Sequence, residues 1–302
     1  MTKRGSGAGR VAAPHMGINQ GNRDMPAAYP SLAGRVAIVT GASRGLGREM
    51  ALEMAAAGMR VALTGSSASA ALDEAVGKAN GLAPRSAIGI AADVADYSAC
   101  AAAVERTIEA FGRVDVLVNN AGLGMRLVSE RFNTEPTRFW EAPPQAWRRI
   151  VEANLIGAFN MARAAVPVMV AQGFGKVVNI STSDQTMVRR GYSPYGPSKA
   201  ALEAASRVWA QDLEGTGVDV NVYLPGGAVD TDLLPPSPDK KGADGNLFQA
   251  SIMRRGILWL CSDESNGVTG GRFIARLWDE ALPAAEAAAA ARTASIAKPA
   301  IM

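Results

Sequence analysis

The stretch TGASRGLG at residues 40–47 follows directly on the apolar run VAIV at residues 36–39, and a helical pattern begins at Arg48. A buried strand, a glycine-rich turn and a helix in this order place a diphosphate at the N-terminus of the helix. Free N–H groups and the helix dipole favour negative charge there, and glycine lets the backbone approach closely. The spacing is GxxxGxG rather than GxGxxG. On these residues alone, an ordinary tight turn between strand and helix is the alternative.

Composition limits the classes of function that the chain can have. With 302 residues, 48% of them hydrophobic, it can form one large domain with a sizeable core. The net charge is only +3, and no stripe of Lys and Arg interleaved with aromatics occurs, so nucleic acid is not an expected partner. The only histidine is His15, which argues against a histidine triad or a metal site. Cys100 and Cys261 fall in helical patterns and are interpreted as small buried residues.

The two ends of the chain differ in composition from the middle. Residues 1–32 are rich in Gly, Pro and basic residues and lack an apolar signal core, which predicts a disordered N-terminal arm. Residues 279–302 form an Ala-rich tail to which no function is assigned. No run of about 18 apolar residues suggests a membrane span. We therefore expect a cytoplasmic protein with a single domain over residues 33–278.

Strand and helix patterns alternate along the whole of this domain, which is typical of an α/β fold with a doubly wound parallel sheet and helices on both faces. Right-handed crossovers bring the carboxyl ends of the strands to one edge, where ligands bind. The strand patterns cover residues 36–39, 59–64, 86–92, 115–118, 176–180, 218–224 and 267–275. A loop at 123–144 is interpreted either as a wall of the substrate pocket or as an apolar loop packed on the fold or on another subunit. The stretch at 232–248 is expected to form a mobile flap.

The end of the second strand bears on the choice of cofactor. Dinucleotide folds that prefer NAD place an acidic residue here to hold the ribose, but this strand ends in Gly65-Ser66-Ser67, and Asp73 is already inside the next helix. An uncharged strand end leaves room for a 2′-phosphate, which Arg44 could bind. The sequence therefore favours NADP(H) over NAD(H). The alternative for Arg44 is a solvated loop charge.

Tyr195 and Lys199 are four residues apart in a predicted helix and so share one face. An ammonium near a phenol favours the phenolate, which can turn tyrosine into an acid or base that works near neutral pH. The alternative is a surface pair. Asn154 lies in the middle of the long helix predicted to end near Gln172, where asparagine is intrinsically unfavourable.

Together these motifs make the chain similar to the short-chain dehydrogenase/reductase family over about residues 33–278. The motifs are TGASRGLG at 40–47, Asp93, NNAG at 119–122, Asn154, YGPSK at 195–199, PGG at 225–227 and VTGGRF at 268–273. The resemblance implies a Rossmann-type sheet of about seven strands. It also implies hydride transfer between a nicotinamide cofactor and a small-molecule carbonyl or secondary alcohol. A homodimer or homotetramer built on the helices at 146–172 and 197–214 is typical of the family.

The resemblance also implies roles for individual residues. Tyr195 would exchange the proton with the substrate oxygen, Lys199 would lower the pKa of Tyr195 and hold the ribose, and Asn154 would hold a water in a proton relay. The predicted catalytic residues are Asn154, Thr182, Tyr195 and Lys199. The predicted cofactor-binding residues are Gly41, Ser43, Arg44, Gly45, Leu46, Gly47, Ser66, Asp93, Val94, Asn120, Ala121, Gly122, Tyr195, Lys199, Pro225, Gly226 and Thr231.

Two positions depart from the family pattern. The serine expected thirteen residues before Tyr195 is replaced by Thr182, and Ser183 follows it. Either Thr182 supplies the hydroxyl, or Ser183 does after a shift of one residue, or the protein is a cofactor-binding sensor or scaffold with weak or lost catalysis. The doubled glycine in PGG moves Thr231 one residue further along the chain.

Overall fold

The computed structural model describes residues 29–237, 240–242 and 245–294. Residues 1–28 of the predicted arm over residues 1–32, and residues 295–302 at the end of the predicted tail, lie outside the described residues. Two short elements extend the core beyond the predicted 33–278 range. The turn Pro30–Leu32 buries the Leu32 side chain completely, and the helix Ala284–Ala291 packs its buried alanines on the same core.

The described residues form one sheet of eight strands in the order β3-β2-β1-β4-β5-β6-β7-β8. Strands β1 to β7 are parallel, and β8 pairs antiparallel with β7. The strands are β1 (Val36–Val39), β2 (Arg60–Gly65), β3 (Ala87–Ala91), β4 (Val116–Asn119), β5 (Gly175–Ile180), β6 (Val218–Leu224), β7 (Arg272–Ile274) and β8 (Arg292–Thr293). The predicted fold class is confirmed, and the eighth strand is an addition to the predicted seven.

Helices cover both faces of the sheet, as predicted. They are α1 (Gly45–Ala56), α2 (Ala70–Leu82), α3 (Tyr97–Phe111), α4 (Pro144–Val151), α5 (Gly157–Gln172), α6 (Asp184–Met187), α7 (Tyr195–Asp212), α8 (Ile257–Cys261) and α9 (Ala284–Ala291). Helices α1, α2, α8 and α9 pack on one face, and α3, α5 and α7 pack on the other. Side chains of β1 alternate between the two faces and are all buried, which explains why this strand is apolar throughout. Cys100 and Cys261 are buried and unpaired, as predicted.

The helix over Pro144–Gln172 is long and apolar enough to cross a membrane by length and composition alone. In this fold it is one of the layer of helices that cover the sheet, and Met161, Ala165 and Met169 are completely buried in the core. A π-helical turn, Glu152–Ile156, separates α4 from α5 and holds the buried Asn154. We interpret this helix as a core element of the domain.

The sheet order places the carboxyl ends of β1 and β4 side by side, although two strands lie between them in sequence. Strand order reverses at this point, so the connections after β1 and β4 leave toward opposite faces of the sheet. A crevice opens between such connections. The glycine-rich turn after β1 and the NNAG stretch after β4 therefore face each other.

Candidate active site

A cleft of about 2460 Å³ lies at the carboxyl ends of the parallel strands. Nearly all of the predicted site residues line it, although they come from seven separate segments of the chain. Those lining it are Gly41, Ser43, Arg44, Gly45, Leu46, Ser66, Asp93, Val94, Asn120, Ala121, Gly122, Thr182, Tyr195, Lys199, Pro225, Gly226 and Thr231. Gly47 and Asn154 lie behind the cleft wall rather than in it.

The glycine-rich turn has a backbone that requires glycine at two positions. Gly41 has φ +62° and Gly45 has φ +58°, in the left-handed region that side chains disfavour. Helix α1 begins at Gly45, and the residue that precedes it, Arg44, makes no side-chain hydrogen bond to the first helical turn. The N–H groups of that turn remain available to a ligand. The turn therefore fits a diphosphate bound at the N-terminus of α1.

Asn120 and Thr40 brace this turn from below. The Thr40 hydroxyl accepts from the N–H groups of Asn120 and Ala121, both at 2.9 Å. The Asn120 side chain donates to the carbonyls of Thr40 at 2.8 Å and Gly41 at 3.1 Å. A Cβ on Gly47 would come within 2.4 Å of the Asn120 amide nitrogen. Asn120 and Gly47 thus act on the shape of the turn, and the side-chain N–H groups of Asn120 are bound to the carbonyls of the turn itself.

Two of the predicted cofactor-binding residues, Asp93 and Val94, follow β3 and line the cleft. Asp93 is exposed at the rim after β3, and its carboxylate accepts from the Ala95 N–H at 3.0 Å. Val94 is buried and fills the space beside Gly157, where a Cβ would meet it at 2.5 Å. Asp93 and the backbone around Val94 are therefore held in one conformation.

Among the described residues that line the cleft after β2, none is acidic. They are Gly65, Ser66, Ser67 and Ser69. Arg44 is exposed nearby, and its guanidinium contacts the Asp232 carboxylate at 3.2 Å. Arg48, one helical turn later, lines the same cleft and was not predicted, although its spacing from Arg44 points to a shared face. The same cleft is therefore lined by the uncharged strand end and by these two arginines.

Tyr195, Lys199 and Thr182 meet at the centre of the cleft. Tyr195 opens α7, and Lys199 follows one turn later on the same face. The side chain of Thr182, just after β5, lies close enough to the Tyr195 phenol to lower its pKa as a hydrogen-bond partner. The Lys199 ammonium donates to the Ile180 carbonyl at 2.8 Å. One hydroxyl, one phenol and one ammonium are thus gathered at the end of β5.

Burial is the main influence on the pKa values of Tyr195 and Lys199. It raises the pKa of Tyr195 to about 12, with the hydrogen bond from Thr182 acting in the opposite direction. Burial likewise lowers the pKa of Lys199 to about 8, against the attraction of Glu203. On balance the pKa of Tyr195 is therefore raised, because loss of solvent around the phenol outweighs the groups that favour its phenolate. The role of Lys199 in lowering this pKa stays a prediction.

Ser183, the other candidate for the hydroxyl, is occupied elsewhere. It is the N-cap of the short helix α6. Its hydroxyl accepts from the Thr186 N–H at 3.3 Å and lies 2.9 Å from the Thr186 hydroxyl. The geometry therefore brings Thr182, and not Ser183, to Tyr195.

Asn154 sits in the π-helical turn with its amide fully engaged. Its oxygen accepts from the Leu123 N–H at 2.8 Å, and its nitrogen donates to the Leu123 carbonyl and to the Ser198 hydroxyl. A Cβ on Gly122 would lie 2.9 Å from the Asn154 amide oxygen and 3.7 Å from the Lys199 nitrogen. Asn154 therefore fixes the chain after NNAG beside Lys199. Its role in a water relay stays a prediction.

The first part of the 123–144 loop and the 232–248 flap form the remaining walls. Phe132 is buried and packs edge-on against Tyr192, with ring centroids 5.5 Å apart. Leu233 in the flap covers Gly124, where a Cβ would meet its side chain at 2.6 Å. Phe139 and Trp140, at the far end of the loop, are instead about two-thirds exposed. The first part of the loop therefore fits its interpretation as a wall of the substrate pocket. The exposed far end fits the other interpretation, an apolar loop that packs on another subunit.

The turn after β6 closes the cleft near the diphosphate position. Gly226 has φ +89°, and a Cβ there would lie 2.4 Å from the Ile274 side chain. Thr231 packs its methyl beside Gly45, where a Cβ would be 3.4 Å away. The doubled glycine therefore still leaves Thr231 next to the glycine-rich turn.

Sequence reasoning missed two buried charged residues behind Thr182. Arg272, at the start of β7, and Glu203, in α7, form an ion pair with an N–O distance of 3.1 Å. Their side chains are only 5% and 3% exposed. The spacing of Glu203 from Lys199, again one helical turn, could have indicated the carboxylate. The arginine lies in VTGGRF and carries no local sign of its partner.

Comparison with known proteins places this cleft in context. The family model described as short chain dehydrogenase matches residues 35–242. A short-chain type dehydrogenase/reductase of Picea abies is 35% identical over 250 residues, which cover 78% of this chain and 89% of the relative. A 3-oxoacyl-acyl-carrier-protein reductase of Thermotoga maritima is 31% identical over 246 residues, covering 79% and 95%.

A solved structure gives the same picture. The 3-ketoacyl-acyl-carrier-protein reductase of Brucella melitensis, complexed with NADH, superposes with a TM-score of 0.69 at 26% identity. The match covers 80% of this chain and 96% of that chain.

Proposed function

The chain belongs to the short-chain dehydrogenase/reductase family of oxidoreductases, and we propose that it reduces a small-molecule carbonyl to a secondary alcohol with NADP(H) as the preferred cofactor. The observation that carries this proposal is the contact between the Thr182 side chain and Tyr195, beside Lys199, in the cleft that the N-terminus of α1 enters.

The cofactor supplies a hydride to the carbonyl carbon when it is bound. The α1 N-terminus and the turn at 40–47 would hold its diphosphate, Asp93 and Val94 would hold the adenosine, and Lys199 would hold the ribose. Gly122, Pro225, Gly226 and Thr231 would form the remaining surface around it. These residues line one continuous cleft.

In the proposed reduction, Tyr195 donates its phenolic proton to the substrate oxygen, and Thr182 donates a hydrogen bond to the same oxygen. The pKa of Tyr195, raised to about 12 by burial, keeps this proton in place at neutral pH. The charge of Lys199 stabilises the phenolate left behind. The protonated phenol is the form that carbonyl reduction requires.

The contact of Thr182 with Tyr195 also supports an active enzyme over a sensor that has lost catalysis. Threonine retains the hydroxyl, and its β-branch restricts χ1, so the hydroxyl direction is well defined. The departure from serine therefore need not weaken catalysis.

Preference for NADP(H) rests on charge at the end of β2. Ser66 and Ser67 are exposed and neutral, and Arg44 and Arg48 line the same cleft. A 2′-phosphate there would gain guanidinium partners, whereas a ribose hydroxyl would find no carboxylate on this strand end. The complex of the Brucella melitensis relative with NADH indicates that NAD(H) is the competitor to test.

We further propose a cytoplasmic homodimer or homotetramer. The long helices present large exposed apolar side chains to the outside of the domain, among them Trp147, Ile156 and Phe159. Symmetric association would cover this face. Sedimentation of the purified chain measures the number of subunits.

The proposed function is tested by mixing the purified chain with NADPH and a panel of ketones and 3-oxoacyl thioesters. Consumption of NADPH with formation of the alcohol is expected for at least one member. Tight binding of NADPH without turnover of any carbonyl or alcohol would favour the sensor instead.

A further inference from the structure

We propose that Arg272 and Glu203 form a buried clamp that positions Thr182 against Tyr195, so that both are positioning residues for the reduction. The inference rests on the proposed function. It concerns residues to which the proposed mechanism gives no direct role, and it assigns a purpose to an ion pair buried beside Thr182.

Arg272 makes contacts in three directions from the start of β7. Its Nε lies 3.1 Å from each oxygen of the Glu203 carboxylate. Its Nη2 donates to the Thr182 carbonyl at 3.1 Å and to the Asp184 carboxylate at 3.0 Å. Its Nη1 donates to the Thr293 hydroxyl at 3.1 Å. The guanidinium thus holds the backbone of Thr182 and the start of α6 at once.

Glu203 holds the residue before Thr182. Its carboxylate accepts from the Ser181 hydroxyl at 2.6 Å. Because Glu203 follows Lys199 by one helical turn, the face of α7 that carries Tyr195 and Lys199 also carries this carboxylate. Tyr195, the proposed acid, and Glu203, the proposed positioning residue, therefore lie on the same helix.

The segment that joins β5 to α6 is consequently fixed at every step. Lys199 binds the Ile180 carbonyl, Glu203 binds the Ser181 hydroxyl, and Arg272 binds the Thr182 carbonyl. A threonine has few χ1 rotamers, so the direction of its hydroxyl follows from the position of its backbone. Holding the Thr182 carbonyl therefore aims the Thr182 hydroxyl.

Stability alone does not account for such a pair. Removing two charges from water costs several kcal/mol, and apolar residues of similar volume often stabilise a core as well or better. A second buried pair, Lys176 with Asp219 at 2.7 Å, joins β5 to β6 and lies outside the cleft. It offers a matched comparison, because it is buried beside the same strand without a contact to Thr182.

The test compares two variants that each remove both charges of one pair. Arg272→Met with Glu203→Gln removes the clamp, and Lys176→Met with Asp219→Asn removes the remote pair. We expect the first to lower kcat for the carbonyl by about tenfold or more, because small displacements of catalytic groups have large effects on rate. NADPH affinity should change by less than about twofold in both, and the remote variant should keep kcat within about twofold.

A double-mutant cycle with Thr182→Ala separates positioning from general loosening of the fold. At a pH well below 8, where Lys199 keeps its charge, removal of a clamp that acts through Thr182 should lower kcat by less than about twofold once the hydroxyl is absent. Equal losses in both backgrounds, or full kcat in a folded clamp variant, would overturn the proposal. Arg272→Lys keeps the charge but lacks the forked donor set, and we expect it to restore kcat only in part.

Failure of the proposed function and failure of the clamp proposal give different results. A wild-type chain that turns over no carbonyl overturns the function and the clamp together. An active wild-type chain whose clamp variant is equally active overturns the clamp alone. Thermal unfolding of each variant establishes that the compared proteins are folded.

Discussion

The Thr182 side chain lies against the Tyr195 phenol and favours its ionised form, while Ser183 next to it caps α6 through Thr186. Two adjacent hydroxyls thus have separate tasks. Because Thr182 belongs to the chain after β5 and Tyr195 to the start of α7, their contact joins the two segments that carry the proposed chemistry. The account of this protein depends on that contact.

Substitutions at these two hydroxyls should have different effects. Thr182→Val keeps the shape but removes the hydroxyl, and we expect kcat to fall by about 10²–10³. Thr182→Ser should keep most of the activity. Ser183→Ala should lower the free energy of unfolding by about 1 kcal/mol through loss of a cap, with little change in kcat. Greater loss of kcat in Ser183→Ala than in Thr182→Val would assign the catalytic hydroxyl to Ser183.

The pH dependence of reduction should follow Lys199. Burial lowers its pKa to about 8, so its charge is present below that pH and is lost above it. We expect kcat/KM for reduction to fall as pH rises through this value. Glu203 favours the charged form, so Glu203→Gln should move the fall to lower pH. The pH profiles of the two proteins measure the shift, and a move to higher pH would contradict this assignment.

Cofactor preference should depend on Arg44. Arg44→Ala is expected to weaken NADPH by about 10- to 100-fold through loss of a charge-assisted contact, and to leave NADH nearly unchanged. Asp232→Asn removes the carboxylate that Arg44 contacts and serves as a control. Since exposed ion pairs contribute at most about 1 kcal/mol, NADPH affinity should rise in this variant by no more than about fivefold. Titration of each protein with NADPH and with NADH measures these affinities. If Arg44→Ala weakens the binding of both cofactors equally, Arg44 does not bind the 2′-phosphate.

The glycine-rich turn should tolerate no side chain at Gly47. A Cβ there would lie 2.4 Å from the Asn120 nitrogen and 2.6 Å from the Gly41 carbonyl oxygen. We expect Gly47→Ala to lose NADPH binding and to lower the free energy of unfolding by at least about 1 kcal/mol. Gly77 in α2 has no described atom within 4 Å of a built Cβ, so Gly77→Ala should stabilise the protein by about 0.5–1 kcal/mol. Unchanged NADPH affinity in Gly47→Ala would show that the turn can adjust.

The order of strands and helices could be predicted because each has a strong local pattern. VAIV at 36–39 is apolar at every position, as a strand covered on both faces requires, and all seven predicted strands are present. The two-residue strand Arg292–Thr293 exists only through its pairing with β7, and alanine-rich sequence on its N-terminal side gives no strand pattern. The π-helical turn at Asn154 likewise depends on contacts with Leu123 and Ser198, which lie far away in sequence.

The candidate site likewise contains residues that the sequence predicts and residues that only the structure reveals. Residues within motifs could be assigned from spacing, as with Tyr195 and Lys199. The choice between Thr182 and Ser183 needed coordinates, because sequence gives both a hydroxyl at nearly the same place. Arg272 and Glu203 are 69 residues apart, and each alone resembles a surface charge. Only the packing of β7 against α7 shows that they meet behind Thr182.

The most direct test of the central claim is the activity of Tyr195→Phe with a carbonyl substrate found for the wild-type chain. The variant keeps the ring and loses the proton donor. We expect NADPH to bind with an affinity within about threefold of wild type and kcat to fall by at least about 10³. Retention of full kcat with normal NADPH binding would contradict the role of Tyr195 as the acid and, with it, the mechanism proposed for this cleft.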